Sequence, residues 1–161
     1  MRRLTMAPVN GAAAVGRLGW VSDQFNLRRF VEAQDARGTY AGAVRELRAG
    51  RKQGHWMWFV FPQIAGLGRS PTAQYFAISG LAEAQAYTSH PVLGPRLVEC
   101  AGALTDLAES SAVAVLGPVD AQKLRSSMTL FSRAAPDEPV FTRVLEQYFA
   151  GAADEGTTSR L

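Results

Sequence analysis

Apolar residues recur along this chain at spacings of three and four, and short polar, proline or glycine breaks separate the runs. From Asp23 onward that period predicts helices with short connections. Leu27, Phe30, Val31 and Gln34 share one face of a first helix, which Asp23 or Asn26 can cap and Gly38 ends. Thr39 is placed to cap a second helix, with Tyr40, Ala43, Val44 and Leu47 inward, Arg45, Glu46 and Arg48 outward, and Gly50 at its end. Ser70-Pro71 predicts a helix start leading to Ile78, and Ser79 the cap of another through Tyr87. His90-Pro91 opens a long helix to about Glu109, with Leu93, Leu97, Cys100, Leu104 and Leu107 inside and an irregularity at Gly94-Pro95. Ser110 or Ser111 starts a short helix that Gly117-Pro118 closes, and Asp120 reads as the cap of the next, which turns Leu124, Met128 and Phe131 inward. Pro136 and Pro139 bracket the start of a last helix with Phe141, Val144, Leu145, Tyr148 and Phe149, ended by Gly151.

The run His55 to Phe61, closed by Pro62, is apolar at nearly every position and fits either a buried strand or a short buried helix. A helix is preferred, because almost nothing else in the chain could pair with a strand, and an unpaired strand leaves backbone groups unsatisfied. Pro62 to Arg69, with Gly66 and Gly68, reads as a loop. The expected architecture is a single compact all-α domain of about seven or eight short helices over residues 23–161, preceded by a loose tail over 1–22.

Composition supports a packed domain. Hydrophobic residues make up 47% of the 161 and charged ones 19%, well away from the polar range of disordered chains. The formal charge is +3, but Arg2, Arg3 and Arg17 precede the first acidic residue, so positions 23–161 carry 14 basic (17 − 3) and 14 acidic groups. A neutral domain lacks the electrostatic footprint of a nucleic-acid binder, and no nucleic-acid partner is expected. The tail has no uninterrupted apolar core of a secretion signal and no run approaches a membrane span, so no membrane partner is expected either. With Cys100 as the one cysteine, no internal disulfide can form and a reducing, cytoplasmic setting is the default. The oligomeric state is not legible.

Most catalytic signatures are missing. The two His, at 55 and 90, and the one Cys make no zinc-ligand spacing, no P-loop occurs, and Gly66-Leu67-Gly68 does not follow a strand of a βαβ unit, so no metal and no cofactor are expected. Cys100 on an apolar stripe reads as an inert core thiol. What remains is a polar group among aromatics: Lys52, His55, Trp58 and Gln63 fall in one stretch that also holds Trp56, Phe59 and Phe61. Indole faces suit a nucleobase or pyridine ring, imidazole serves as acid or base near neutrality, and a loop Gln gives paired hydrogen bonds. A hydrophobic core segment is the competing explanation. Of 17 basic residues only Lys52 and Lys123 are lysine, in a chain that uses arginine elsewhere. A compact, rotatable ammonium does what a planar guanidinium cannot. Lys123, Ser126 and Ser127 lie three and four apart on one helix, where an ammonium and two hydroxyls can hold a phosphate or a sugar. The competing role for the two serines is back-bonding to helix carbonyls.

Several strings together resemble a known family: Phe25-Asn-Leu-Arg-Arg-Phe30 followed by Ala33-Gln34, Lys52, His55-Trp-Met-Trp-Phe-Val-Phe-Pro-Gln63, Gly66-Leu-Gly68, His90-Pro-Val-Leu-Gly94, and Lys123-Leu-x-Ser-Ser-Met-Thr-Leu-Phe131. They look like the bacterial domain-of-unknown-function family 1810, over about residues 23–161. The resemblance implies an all-α fold and no established activity. The name calpastatin often attached to that family does not fit an apolar, unrepetitive chain dense in helix caps, because an inhibitor of that kind is a repetitive disordered chain. A fainter likeness, in size and in having Trp, Lys and carboxylates around a pocket, is to the all-α NADAR family of NAD, ADP-ribose and N-glycoside chemistry. Its catalytic positions do not align here, so it assigns no residue a role.

The functional expectation is a small-molecule pocket built from Lys52, His55, Trp58, Gln63, Tyr75, Lys123, Ser126 and Ser127, holding a nucleotide-like or ribosyl compound, with His55 the candidate for any catalysis. The alternative is a protein-interaction module without catalysis, in which the aromatic run is simply core.

Overall fold

The helical period is realised as a series of helices with short connections over residues 23–161, which are the residues that the structure, a computed structural model, describes. The expected loose tail, 1–22, lies outside them. In chain order the elements are Arg28–Asp35 (α1), a 3-10 turn at Ala36–Gly38, Thr39–Arg48 (α2), Met57–Val60 (α3), Pro71–Tyr75 (α4), Leu81–Ser89 (α5), Leu93–Thr105 (α6), Ala112–Leu116 (α7), Pro118–Ala134 (α8), Val140–Phe149 (α9) and Glu155–Thr158 (α10). The preferred helix in the aromatic run is a single turn, α3, and among the described residues the β-type pairing is one parallel bridge, Ile64 to Ile78. The all-α expectation holds.

The longest helix, α8, is the axis of the domain. It packs against α5, α7, α9 and α10, and every residue from Ser126 to Phe131 is buried. A stretch of helix buried on every face sits in the core, here the middle of α8, while Val119, Gln122 and Arg133 nearer its ends are exposed. α6 lies against α2, α5 and α9, and α1 against α2 and α3. A line of rings joins these layers: Phe30 of α1 meets Tyr87 of α5 edge-on at 5.1 Å, Tyr87 meets Phe131 of α8 at 5.2 Å, and Phe131 meets Phe141 of α9 at 5.9 Å. Such tilted aromatic pairs add to the burial of large rings.

Helix starts follow the sequence in kind, with some roles exchanged. Ser70 and Ser111 cap α4 and α7, accepting from the Ala73 and Ala114 amides. Asp23 reaches forward to the Arg28 amide at 3.1 Å. Thr39 is no cap: its hydroxyl donates to the Ala36 carbonyl, and left-handed Gly38 (φ 67°) precedes the helix. Ser79 does not cap α5 either; its amide and hydroxyl both donate to Oε1 of Glu83 inside the helix. His90 caps α6 with its ring, Nδ1 accepting from the Val92 and Leu93 amides at 3.1 and 3.2 Å. Gly94-Pro95 lies in the first turn of α6, where a missing N–H is harmless, so no irregularity results. A Cβ at Gly94 would stand 2.1 Å from the Thr88 carbonyl oxygen, which fixes how closely α6 follows α5.

One ion pair is nearly enclosed. Arg29 donates through Nε to Tyr75 O, through one terminal nitrogen to Phe25 O and Asn26 O, and through the other to Ala77 O and Glu83 Oε2 at 2.8 Å. Arg29 and Glu83 side chains are 8% and 4% exposed, and the guanidinium also lies 4.3 Å from the Phe30 ring centre. Because every donor direction is used, a buried cation is tolerated. It pins the irregular segment 75–79, whose Ile78 bridges to the Gln63 and Ala65 backbone, onto α1.

Candidate functional site

The loop after α2 is shaped by one carboxylate. Glu46 accepts from the backbone amides of Gln53 and Gly54 and from the Trp56 indole N–H at 3.1 Å. Burial pushes its pKa up, but the Gly54 and Gln53 amides, the Trp56 indole and the Lys52 charge outweigh that and hold it below its ordinary value. Gly54 is required at this turn: a Cβ there would sit 2.9 Å from Trp56 Cδ1 and 3.3 Å from Glu46 Oε2. The same loop is tied on its other side by Lys52 N–H to the Val115 carbonyl of α7 at 2.8 Å. Lys52 is thereby carried to the junction of α7 and α8.

There it meets Asp120. Lys52 Nζ lies 2.9 Å from Asp120 Oδ2, donates also to the Gly54 carbonyl, and stands 5.0 Å from the Trp56 ring centre. Lys123, one turn along α8, lies 3.6 Å from Asp120 Oδ1 and 4.7 Å from the Trp58 ring centre. Both lysines of the chain therefore share one carboxylate, and each ammonium faces an indole. Asp120 was expected to be a helix cap; the helix begins at Pro118 behind Gly117 (φ 84°), and Asp120 sits within the first turn, where a carboxylate is favoured by the helix dipole. Two ammoniums and the Asp120 carboxylate sum to one positive charge, and the Glu46 carboxylate, which feels the Lys52 charge as well, brings the four groups to formal neutrality.

The other expected site residues divide. His55 is exposed on the loop beside this cluster and Trp58 is half-buried at its edge. Trp56, which the sequence did not single out, is buried to 2% exposure and faces Glu46 rather than solvent. Gln63 serves through its backbone, accepting from the Ile78 amide. Tyr75 is 56% exposed, edge-on to Phe76 at 4.8 Å, and its carbonyl belongs to the Arg29 network. Ser126 turns away from Lys123: its hydroxyl donates to Asp154 Oδ2 at 3.0 Å and back-bonds to the Gln122 carbonyl. Asp154 is a saturated cap of α10, accepting also from Gln122 Nε2 and from the Thr157 amide and hydroxyl. Ser127 differs from the other hydroxyls of α8. Ser126, Thr129 and Ser132 bond to helix carbonyls, whereas Ser127 Oγ is buried with no hydrogen-bond partner among the described residues.

Cys100 is inert, as its position on the apolar stripe implies: burial pushes the thiol up to about 12. Among the described residues no three His, Cys, Asp or Glu side chains cluster as metal ligands. Two surface clefts lie elsewhere, one of about 540 Å³ lined by Thr105, Asp106, Arg143, Glu146 and Gln147, and an apolar one of about 300 Å³ between Thr88, Val98 and Phe141. No described helix is long and apolar enough to cross a membrane.

Asp120 and Glu46 are the site residues that sequence reasoning missed. The i, i+3 spacing of Asp120 and Lys123 is a readable signal of an ion pair on one helix face. Nothing local announces that Glu46 folds the loop seven residues ahead of it.

Comparison with known proteins agrees with this architecture. A family described as "Protein of unknown function (DUF1810)" matches residues 24–161. The crystal structure of the conserved hypothetical protein Rv1873 from Mycobacterium tuberculosis superposes with a TM-score of 0.83 at 51% identity, covering 86% of this chain and 98% of that one. No protein of curated function matches.

Proposed function

The chain belongs to the DUF1810 family, and from that premise we propose that it binds a small anionic, ring-bearing ligand, nucleotide-like or ribosyl, at the Lys52–Asp120–Lys123 cluster. One observation carries this reading: the two lysines, 71 positions apart (123 − 52), converge on a single carboxylate with an indole under each ammonium. Asp120 serves two cations with one carboxylate, so Lys123, held at only 3.6 Å, keeps donor capacity for an added anion. Trp58 at the edge offers a flat apolar wall, and exposed His55, three residues along the chain from Lys52, offers ring nitrogens for hydrogen bonding. Trp56 supports the site from behind. Ser126 is not part of it, because Asp154 already takes its hydroxyl.

A thermal-shift panel of ADP-ribose, NAD, nucleoside monophosphates, sugar phosphates and free bases tests the reading. A ligand binding only the native state stabilises it by about 2.7 kcal/mol at a hundred times its dissociation constant. Phosphorylated members are expected to raise Tm, and Lys123→Ala to abolish that rise. If no member shifts the wild type at millimolar concentration, the ligand reading falls. The second reading, a non-catalytic interaction module, then takes its place; Val113 and Val119, 54% and 68% exposed on α7 and the first turn of α8, are the apolar residues it would use.

A further inference from the structure

The two lysines are not held alike, and the difference assigns them different work. Lys52 is 9% exposed, 2.9 Å from Asp120, bonded also to the Gly54 carbonyl, and its own amide is anchored to Val115. Two protein oxygens hold that ammonium and the Trp56 ring stands 5.0 Å from it. Lys123 is 21% exposed, holds Asp120 at 3.6 Å, longer than a good charge-assisted hydrogen bond, and rests on the face of half-buried Trp58. Its stem can swing by rotamer change without breaking any backbone contact.

Resting on the ligand reading above, we propose that Lys123 is the amine that leaves Asp120 to grip the anion, and that Lys52 is a positioning residue. Lys52 stays on Asp120 throughout and keeps that carboxylate neutralised when Lys123 departs. Without it, Lys123 would be the only cation on Asp120 and would be held back from the ligand. The ligand group concerned is a phosphoryl or similar compact anion, since a single mobile ammonium binds as a point charge and not as a planar fork.

The chain has only these two lysines, so amine acylation followed by peptide mass spectrometry reads each one unambiguously. Limiting N-hydroxysuccinimide acetate on the folded full chain is expected to label Lys123 about tenfold faster than Lys52, and both equally after denaturation. ADP-ribose, or inorganic phosphate at higher concentration, should slow labelling of Lys123 and leave Lys52 unchanged. Lys52→Gln should weaken binding of the same probe about tenfold and slow Lys123 labelling in its absence, with Lys52→Arg restoring both. If Lys52→Gln does not fold, the wild-type labelling order and its response to the probe decide alone. Faster or equal labelling of Lys52 overturns the assignment, and so does a stabilising probe that leaves Lys123 labelling untouched. Should no probe raise Tm at all, the ligand reading itself fails and this inference with it, whereas a reversed labelling order beside a stabilising probe sinks the division of labour only.

Discussion

Lys52 and Asp120 stand 2.9 Å apart across 68 residues of sequence, and their contact closes the loop after α2 onto the first turn of α8. The ammonium is nearly enclosed, so its partner matters more than a surface partner would. Asp120→Asn is expected to cost roughly 3 kcal/mol, as for other buried cations left without a counterion. Lys123→Ala, which breaks the longer and more exposed contact, should cost less than about 1 kcal/mol. Urea denaturation of the three proteins compares them; equal losses would show that Lys52 is not the buried partner.

Two adjacent serines should respond oppositely. Ser126→Ala removes a donor to buried Asp154 and is expected to destabilise by about 1 kcal/mol. Ser127→Ala removes a buried hydroxyl that has no partner among the described residues, so stability should stay level or rise by up to about 1 kcal/mol. A clear drop in Tm for Ser127→Ala would mean that the hydroxyl is bonded.

Acid should weaken the protein in two steps. Burial outweighs the pull of Asp23 and holds the His90 imidazole below its ordinary value, and protonation would also cost Nδ1 its two accepted amides. The unfolded chain then takes up that proton first, so the stability His90 contributes is present above about pH 6.5 and lost as pH falls through the lowered native value. Glu46, also lowered, contributes stability that is present above roughly pH 4.3 and lost on further acidification. His90→Asn keeps a cap and should flatten the first step of Tm against pH, and Glu46→Gln the second. An unchanged profile in either variant would remove that residue from the acid response.

Removing Arg29 should be severe. Arg29→Ala strands the Glu83 carboxylate and four carbonyls, those of Phe25, Asn26, Tyr75 and Ala77, so a loss of about 3–5 kcal/mol or failure to fold is expected. Glu83→Gln leaves the guanidinium its carbonyls and should cost less. Soluble expression and urea midpoints rank the pair; a reversed ranking would place the main burden on Glu83.

Local sequence determined the helices, because apolar period, Ser-Pro and Ser starts and glycine stops act over a few residues: Leu27 and Phe30, Leu93 and Leu97, Leu124 and Phe131 are all buried as their spacing required. It also marked Lys52 and Lys123 through the rarity of lysine. Their meeting point belongs to tertiary structure. Asp120 reads as a cap until α7 and the loop after α2 bring a second ammonium to it. Ser126 and Ser127 are neighbours in sequence, but in the buried middle of α8 the 100° between them sends one hydroxyl to Asp154 and leaves the other without a partner among the described residues. Thr39, Ser79 and His90 show the same limit: which polar group satisfies a helix end depends on what the neighbouring chain offers, and that is decided only when the elements pack.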